Sequence, residues 1–103
     1  MLDHVVIALL IQLPLARLHG WAAGTAAACA WSVSREITQA EYRWIERYGD
    51  GLRANMPWWG GFDARVWHAD AWLDWIVPCA VVIAIALVVR ARQLSGEPRA
   101  PHR

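Results

Sequence analysis

The sequence contains no lysine, and all ten of its basic side chains are arginines. Nine acidic residues bring the formal charge to only +1, whereas a nucleic-acid-binding domain normally carries a strongly basic surface. We attribute the use of arginine to a GC-rich coding bias of bacterial or phage type, because no motif requires it. The charge balance therefore argues against a nucleic acid as partner.

Cysteine is also scarce, since Cys29 and Cys79 are the only two and each lies inside an apolar run. Neither has another ligand residue at the spacing of a metal motif, and a free cysteine is usually a small buried residue. A phosphate-binding loop, a nucleophile elbow and a CxxC pair are all missing. We predict no cofactor and no metal. Whether the chain is an enzyme stays open, and a non-enzymatic role is favoured.

Apolar sequence is what the chain has in abundance. Of its 103 residues 57% are hydrophobic, 18% are charged and eight are tryptophan. A chain of this length forms one folding unit, and its long charge-free runs are typical of membrane helices. We therefore predict a small all-α integral membrane protein with three transmembrane helices and a Trp-rich interfacial loop between the second and the third.

The predicted elements are helices at 2–18, 21–48 and 70–92, a loop at 49–69 and a disordered polar tail at 93–103, with residues 1–92 as a single membrane domain. A turn at His19–Gly20 is preferred to one long helix, because the latter would bury Arg17 mid-membrane at a cost of about 3 kcal/mol. Asp70 is the predicted N-cap of the third helix. The first helix has Asp3 and His4 where a signal peptide has basic residues, so we expect it to be retained.

A stripe of small residues follows one face of the second helix, with Gly20, Gly24, Ala28 and Ser32 at every fourth position. Such stripes let helix backbones approach closely in membranes. We predict that this face packs against other helices, in the same chain, in a second copy or in another membrane protein.

The densest polar group follows that stripe, at the membrane end of the second helix. Its members are Arg35, Glu36, Gln39, Tyr42, Arg43 and Glu46. Ionisable residues at membrane depth mark functional sites by default, whereas the end of a helix outside the bilayer carries charges that are solvated and paired. We leave both interpretations open. We expect Glu36 to be buried, because it continues the small-residue stripe, and Arg47 to be exposed.

The Trp-rich loop supplies a third set of candidate residues, at or near the membrane surface: Trp58, Trp59, Trp67, Asp63 and Asp74. Tryptophan favours the membrane–water boundary, so anchoring is preferred over binding of a lipid or glycan. His68 has carboxylates nearby but no recognised ligand spacing. Arg90 and Arg92 flank the third helix directly and favour a cytoplasmic C-terminus.

Three segments carry a resemblance to a known group: REITQAEYRWIE at 35–46, RANMPWWGGFD at 53–63 and WLDW at 72–75. They resemble an uncharacterised group of small Trp-rich membrane proteins encoded by phages and prophages of Gram-negative bacteria. The resemblance implies the host inner membrane as location and lends no catalytic residues. A structural or interaction role therefore ranks first, a holin-like lysis protein second, and a small membrane enzyme acting on a lipid or lipid-linked substrate third.

Overall fold

The computed structural model describes residues 2–96 as three α-helices joined by a hairpin and by a segment of short 3₁₀ turns. The helices are α1 (Leu2–His19), α2 (Trp21–Tyr48) and α3 (Ala69–Gly96). The 3₁₀ turns lie between α2 and α3, at Arg53–Asn55, Gly60–Phe62 and Ala64–Val66. Because the described residues include no strand, the predicted all-α class is confirmed.

The three helices contact one another in a bundle that runs up, down and up. Gln12 of α1 bonds to Thr25 of α2 and to Val82 of α3. Nearer the start of α1, His4 meets Glu36, which lies later in α2. α1 and α2 are therefore antiparallel, as the predicted hairpin requires.

The close approach of α1 to α2 depends on Gly24. A Cβ atom at this position would lie 2.5 Å from the Gln12 carbonyl oxygen and 3.0 Å from the Ala16 nitrogen. The buried residues of α2 continue from there at every fourth position, and most are small: Gly24, Ala28, Ser32, Glu36, Ala40 and Trp44. Gly20 does not belong to this interface. It is exposed and joins the two helices with φ 97°, a conformation that favours glycine.

The ends of α3 differ from the prediction. The helix begins at Ala69, so Asp70 lies in its first turn and is not the residue before it. It also continues to Gly96, so residues 93–96 are helical and not part of a disordered tail. The sequence has no helix-breaking residue between Arg92 and Gly96. The rest of the predicted tail, 97–103, lies outside the described residues.

Two of the described helices, α1 and α3, are long and apolar enough to cross a membrane, with mean hydropathies of 1.3 and 2.4 over their most apolar stretches. Only 17% of either stretch is buried inside the chain, which is not the profile of a core helix in a soluble protein. α2 does not meet the same requirement. Its charge-free part, 21–34, covers only about 21 Å, against a hydrocarbon core of about 30 Å. Two candidate spans, not three, are therefore present by composition.

The far end of α2 extends beyond the bundle and is covered by residues 52–67, which we call the cap. Trp44 and Val66 pack with Ala40 in a small core, with Met56 and Trp67 against it. The predicted interfacial loop is thus a folded unit packed on α2.

Glycines make this packing possible. Gly60 and Gly61 are buried, and a Cβ atom at Gly61 would lie 2.7 Å from the Glu41 Cγ and 3.1 Å from the Ile37 carbonyl oxygen. The Trp67 indole N–H donates to the Gly61 carbonyl at 2.8 Å. The Gly-Gly pair is therefore a contact surface for α2.

Candidate functional site

One polar cluster receives a side chain from each helix of the bundle. His4 comes from α1, Glu36 from α2 and Asp74 from α3, and one nitrogen or oxygen atom of each lies within 4.8 Å of the other two. The Nε2 atom of His4 is 3.7 Å from Oε1 of Glu36. We call these three residues the His4 cluster.

Glu36 is the most enclosed member, with a side chain only 3% exposed, against 15% for His4. Asp74 is half-buried. Glu36 reaches this position because it lies four residues after Ser32 on the small-residue face of α2. The same spacing on α1 places His4 in line with Ala8 and Gln12, which are fully buried. The cluster is therefore the polar end of the helix interface.

A neighbouring carboxylate lies beside the His4 ring. Nδ1 of His4 lies 3.1 Å from Oδ1 of Asp3, within hydrogen-bond distance. A neutral imidazole that donates from Nδ1 keeps its acceptor lone pair on Nε2, and Nε2 faces Glu36. In that tautomer two acceptor atoms face each other, and a proton or a metal ion between them would satisfy both.

The arginines predicted beside Glu36 lie elsewhere. Arg35 is exposed, and its guanidinium lies over the Trp31 ring at 5.6 Å. Arg43 turns toward the cap, where its Nε donates to the Val66 carbonyl at 2.6 Å. Neither residue forms an ion pair with Glu36 among residues 2–96.

The other predicted members of the polar group are separate surface features. Tyr42 is exposed, and the Arg53 guanidinium lies 5.7 Å from its ring centre. Glu46 is exposed and Gln39 is half-buried. The predicted six-residue cluster is therefore not one site. A helix turns about 100° per residue, so these residues face different neighbours, and only Glu36 faces the bundle interior.

A second buried polar side chain, that of Gln12, lies deeper in the bundle. Its side-chain amide donates to the Thr25 hydroxyl at 3.1 Å and to the Val82 carbonyl at 2.7 Å, although Gln12 is fully buried. Its Oε1 atom has no hydrogen-bond partner within the described part of the chain. The side chain ties all three helices together.

The predicted interfacial residues divide between surface and interior. Trp58 is 84% exposed and Trp59 43% exposed, although the Trp59 ring lies edge-on against Trp44 with ring centres 6.4 Å apart. Asp74 lies on the face of α3 that meets the His4 cluster. Asp63 holds the cap to α2 by accepting a hydrogen bond from the Trp44 indole at 3.1 Å.

Asp63 also accepts three hydrogen bonds from the Arg65 side chain, the shortest being 2.6 Å, and one from its backbone N–H. These bonds to Arg65, and the bond from Trp44, hold the pKa of the Asp63 carboxyl well below its usual range. The carboxylate therefore remains ionised and keeps the cap in place at any ordinary pH.

An apolar groove of about 270 Å³ opens between α2, the cap and the start of α3. Ile37, Phe62, Trp67 and Trp72 are among its lining residues. It contains no member of the His4 cluster.

Comparisons of the chain with protein-family models, with curated proteins and with solved structures found no match. The function is therefore argued from the geometry. Sequence reasoning missed His4 as a site residue. His4, Ala8, Gln12 and Ala16 recur every four residues along α1, as the small residues do along α2. That shared spacing was the signal that could have paired His4 with Glu36.

Proposed function

We propose that this chain is a small integral protein of the bacterial inner membrane, of the type encoded by phages and prophages, with a structural or interaction role. The proposal rests on the contrast between the apolar outer surface of the helix bundle and its polar interior. Large apolar side chains such as Leu10, Ile83 and Leu87 point outward, while Gln12 and Glu36 point inward. An exposed apolar surface of this extent is typical of contact with lipid.

We include α2 as a third span in this proposal. Its own charge-free part is short, but α1 and α3 pack along it on two sides, and its inward polar groups are satisfied or enclosed there. Glu36 lies level with the start of α1, so the charges that follow it fall outside the lipid-facing zone. The cap then rests at the membrane surface with Trp58 and Phe62 exposed, where aromatic rings are favoured.

The interaction role rests on the apolar groove beside the cap. Its aromatic lining is placed where a second copy, another membrane protein or lipid chains would meet it. A holin-like role has less support, because a membrane hole needs polar surface on the outside of each subunit. Here the bundle encloses its polar groups.

Expression of the full chain in a Gram-negative host tests this proposal. We expect the protein in the inner-membrane fraction and resistant to carbonate extraction. Reporter fusions at residues 19, 55 and 103 should place 19 and 103 on one side and 55 on the other. A soluble product, or residues 19 and 55 on the same side, would contradict the three-span layout. Abrupt, timed lysis after induction would replace the proposed role with the holin-like one.

A further inference from the structure

We propose that His4, Glu36 and Asp74 form a binding site for one divalent transition-metal ion, and that Zn²⁺ is the ion that fits best. This inference goes beyond the structural role proposed above, and it concerns the metal alone. It rests on four features: the convergence of three helices, the donor atoms, the charge balance and the orientation of His4.

The convergence of the three side chains brings their donor atoms close to coordination distance. They lie within 4.8 Å of one another. Zinc bonds to nitrogen and carboxylate oxygen of about 2.0–2.2 Å place ligand atoms about 3.4 Å apart in a tetrahedron. The His4 and Asp74 side chains are not fully buried, so the proposal requires their rotation to bring the donor atoms together.

The donor set selects a class of metal. One imidazole nitrogen and two carboxylate oxygens match the ligands of zinc and related first-row ions. Calcium and magnesium prefer sites made only of oxygen atoms. Three protein ligands also leave a coordination position for water, as in zinc sites that are not purely structural.

Charge balance gives an independent argument. Glu36 and Asp74 are two carboxylates close together, the first buried and the second half-buried, and within the cluster a protonated His4 compensates only one of them. A divalent ion with neutral His4 brings the net charge of the group to zero. Enclosed charges are tolerated in proteins when they are paired or bind a metal.

The orientation of His4 is the fourth feature. Metal-binding histidines almost always donate their other ring N–H to a carboxylate, a carbonyl or water. Asp3 Oδ1 lies 3.1 Å from Nδ1 of His4, and in the tautomer that donates from Nδ1 the Nε2 lone pair faces Glu36. Replacement of such a supporting carboxylate usually weakens metal affinity about 10- to 100-fold.

Cobalt and zinc titrations of the full chain in detergent micelles, with no polyhistidine tag, test the site directly. We expect one Co²⁺ per chain with visible d–d absorption bands, no thiolate charge-transfer band, and displacement by Zn²⁺. His4→Gln, Glu36→Gln and Asp74→Asn should each abolish the bands. The matched controls Asp70→Asn and His19→Gln change exposed residues outside the cluster and should retain them.

Asp3→Asn keeps all three ligands and guards against a result caused by misfolding. We expect it to retain the helical circular-dichroism spectrum of the parent chain and to bind Zn²⁺ about 10- to 100-fold more weakly. The proposal is overturned if the folded parent chain binds no stoichiometric Co²⁺ or Zn²⁺, or if Glu36→Gln and Asp74→Asn bind as tightly as the parent. A thiolate band would also overturn it, because it would assign the metal to Cys29 or Cys79.

Discussion

The contact between α1 and α2 at Gly24 makes the most direct prediction about stability. In Gly24→Leu the new side chain would begin 2.5 Å from the Gln12 carbonyl oxygen and 3.0 Å from the Ala16 nitrogen. Both are backbone atoms, so α1 itself must move. We expect this variant to be destabilised strongly, by more than about 2 kcal/mol.

The magnitude follows from two opposing effects. Overpacking of a well-packed interface costs about 1–3 kcal/mol, while replacing glycine by alanine within a helix recovers up to about 1 kcal/mol. Gly24→Ala should therefore lose about 0–2 kcal/mol. Gly24→Leu should lose more, because three further carbon atoms meet the same backbone.

The matched control is Ala23→Leu. Ala23 is the preceding residue of α2 and is exposed, and exposed substitutions usually change stability by less than about 0.5 kcal/mol. Thermal melting and denaturant titration in the same detergent, followed by circular dichroism, measure the three variants. Equal destabilisation by Gly24→Leu and Ala23→Leu would refute the close helix contact.

Two further predictions concern single polar side chains. Gln12→Leu loses two hydrogen bonds worth about 0.6 kcal/mol each in membranes but also removes an unpartnered acceptor. Its stability should thus stay within about 1 kcal/mol of the parent, whereas Gln12→Ala leaves a cavity and should cost more than about 2 kcal/mol. Equal melting curves for these two variants would contradict the packing at this position. The pKa of Asp63 is lower in the folded chain than in the unfolded chain. Its carboxylate therefore stabilises the fold above the unfolded-state pKa of about 3.9, and this stabilisation is lost as the pH falls through the folded-state pKa. Tryptophan fluorescence should therefore report loosening of the cap in acid below about pH 4, and Asp63→Asn should show the loosened signal already at pH 7. An acid transition unchanged in Asp63→Asn would show that another group controls it.

The ends of the helices were predictable because they depend on residues that are neighbours in the sequence. α1 ends at His19 and α2 at Tyr48, where Gly20 and Gly49 interrupt the apolar or periodic pattern. The recurrence of small residues at every fourth position also predicts Gly24 and Ala28 as interface positions, and both are buried. These inferences require only the residues of one helix and its period.

The partners across helices were not predictable in the same way. Glu36 meets His4 and Asp74, which lie more than thirty residues away on either side. Their meeting depends on the relative register of three helices, which is determined by the sum of many packing contacts. The sequence therefore predicts neither that Asp74 meets Glu36 nor that Glu36 faces away from the arginines of its own helix.

The contacts of the cap were not predictable for a related reason. Residues 52–67 have no clean period, so the sequence predicts an interfacial loop but not the surface on which it packs. Their order comes from contacts with α2, including the Trp44–Asp63 bond and the buried glycines Gly60 and Gly61. A segment stabilised by contacts with another element carries little local signal.

The last prediction compares Glu36 with Arg47 on the same helix. Arg47 is exposed, so Arg47→Gln should cost well under about 1 kcal/mol. Removing one partner of a buried pair usually costs about 3–5 kcal/mol, because a charge remains without compensation. In Glu36→Gln the repulsion with Asp74 disappears and His4 remains partly exposed to solvent, so we expect a smaller loss, about 2 kcal/mol.

Melting in detergent with a chelator present isolates this effect from any bound metal. If Glu36→Gln and Arg47→Gln melt alike under these conditions, Glu36 is a solvated residue and the enclosed polar cluster does not exist. A loss in Glu36→Gln alone shows that the carboxylate is part of the bundle. Added Zn²⁺ then separates the two roles of the cluster, because a metal site stabilises the parent chain further and leaves Glu36→Gln unchanged.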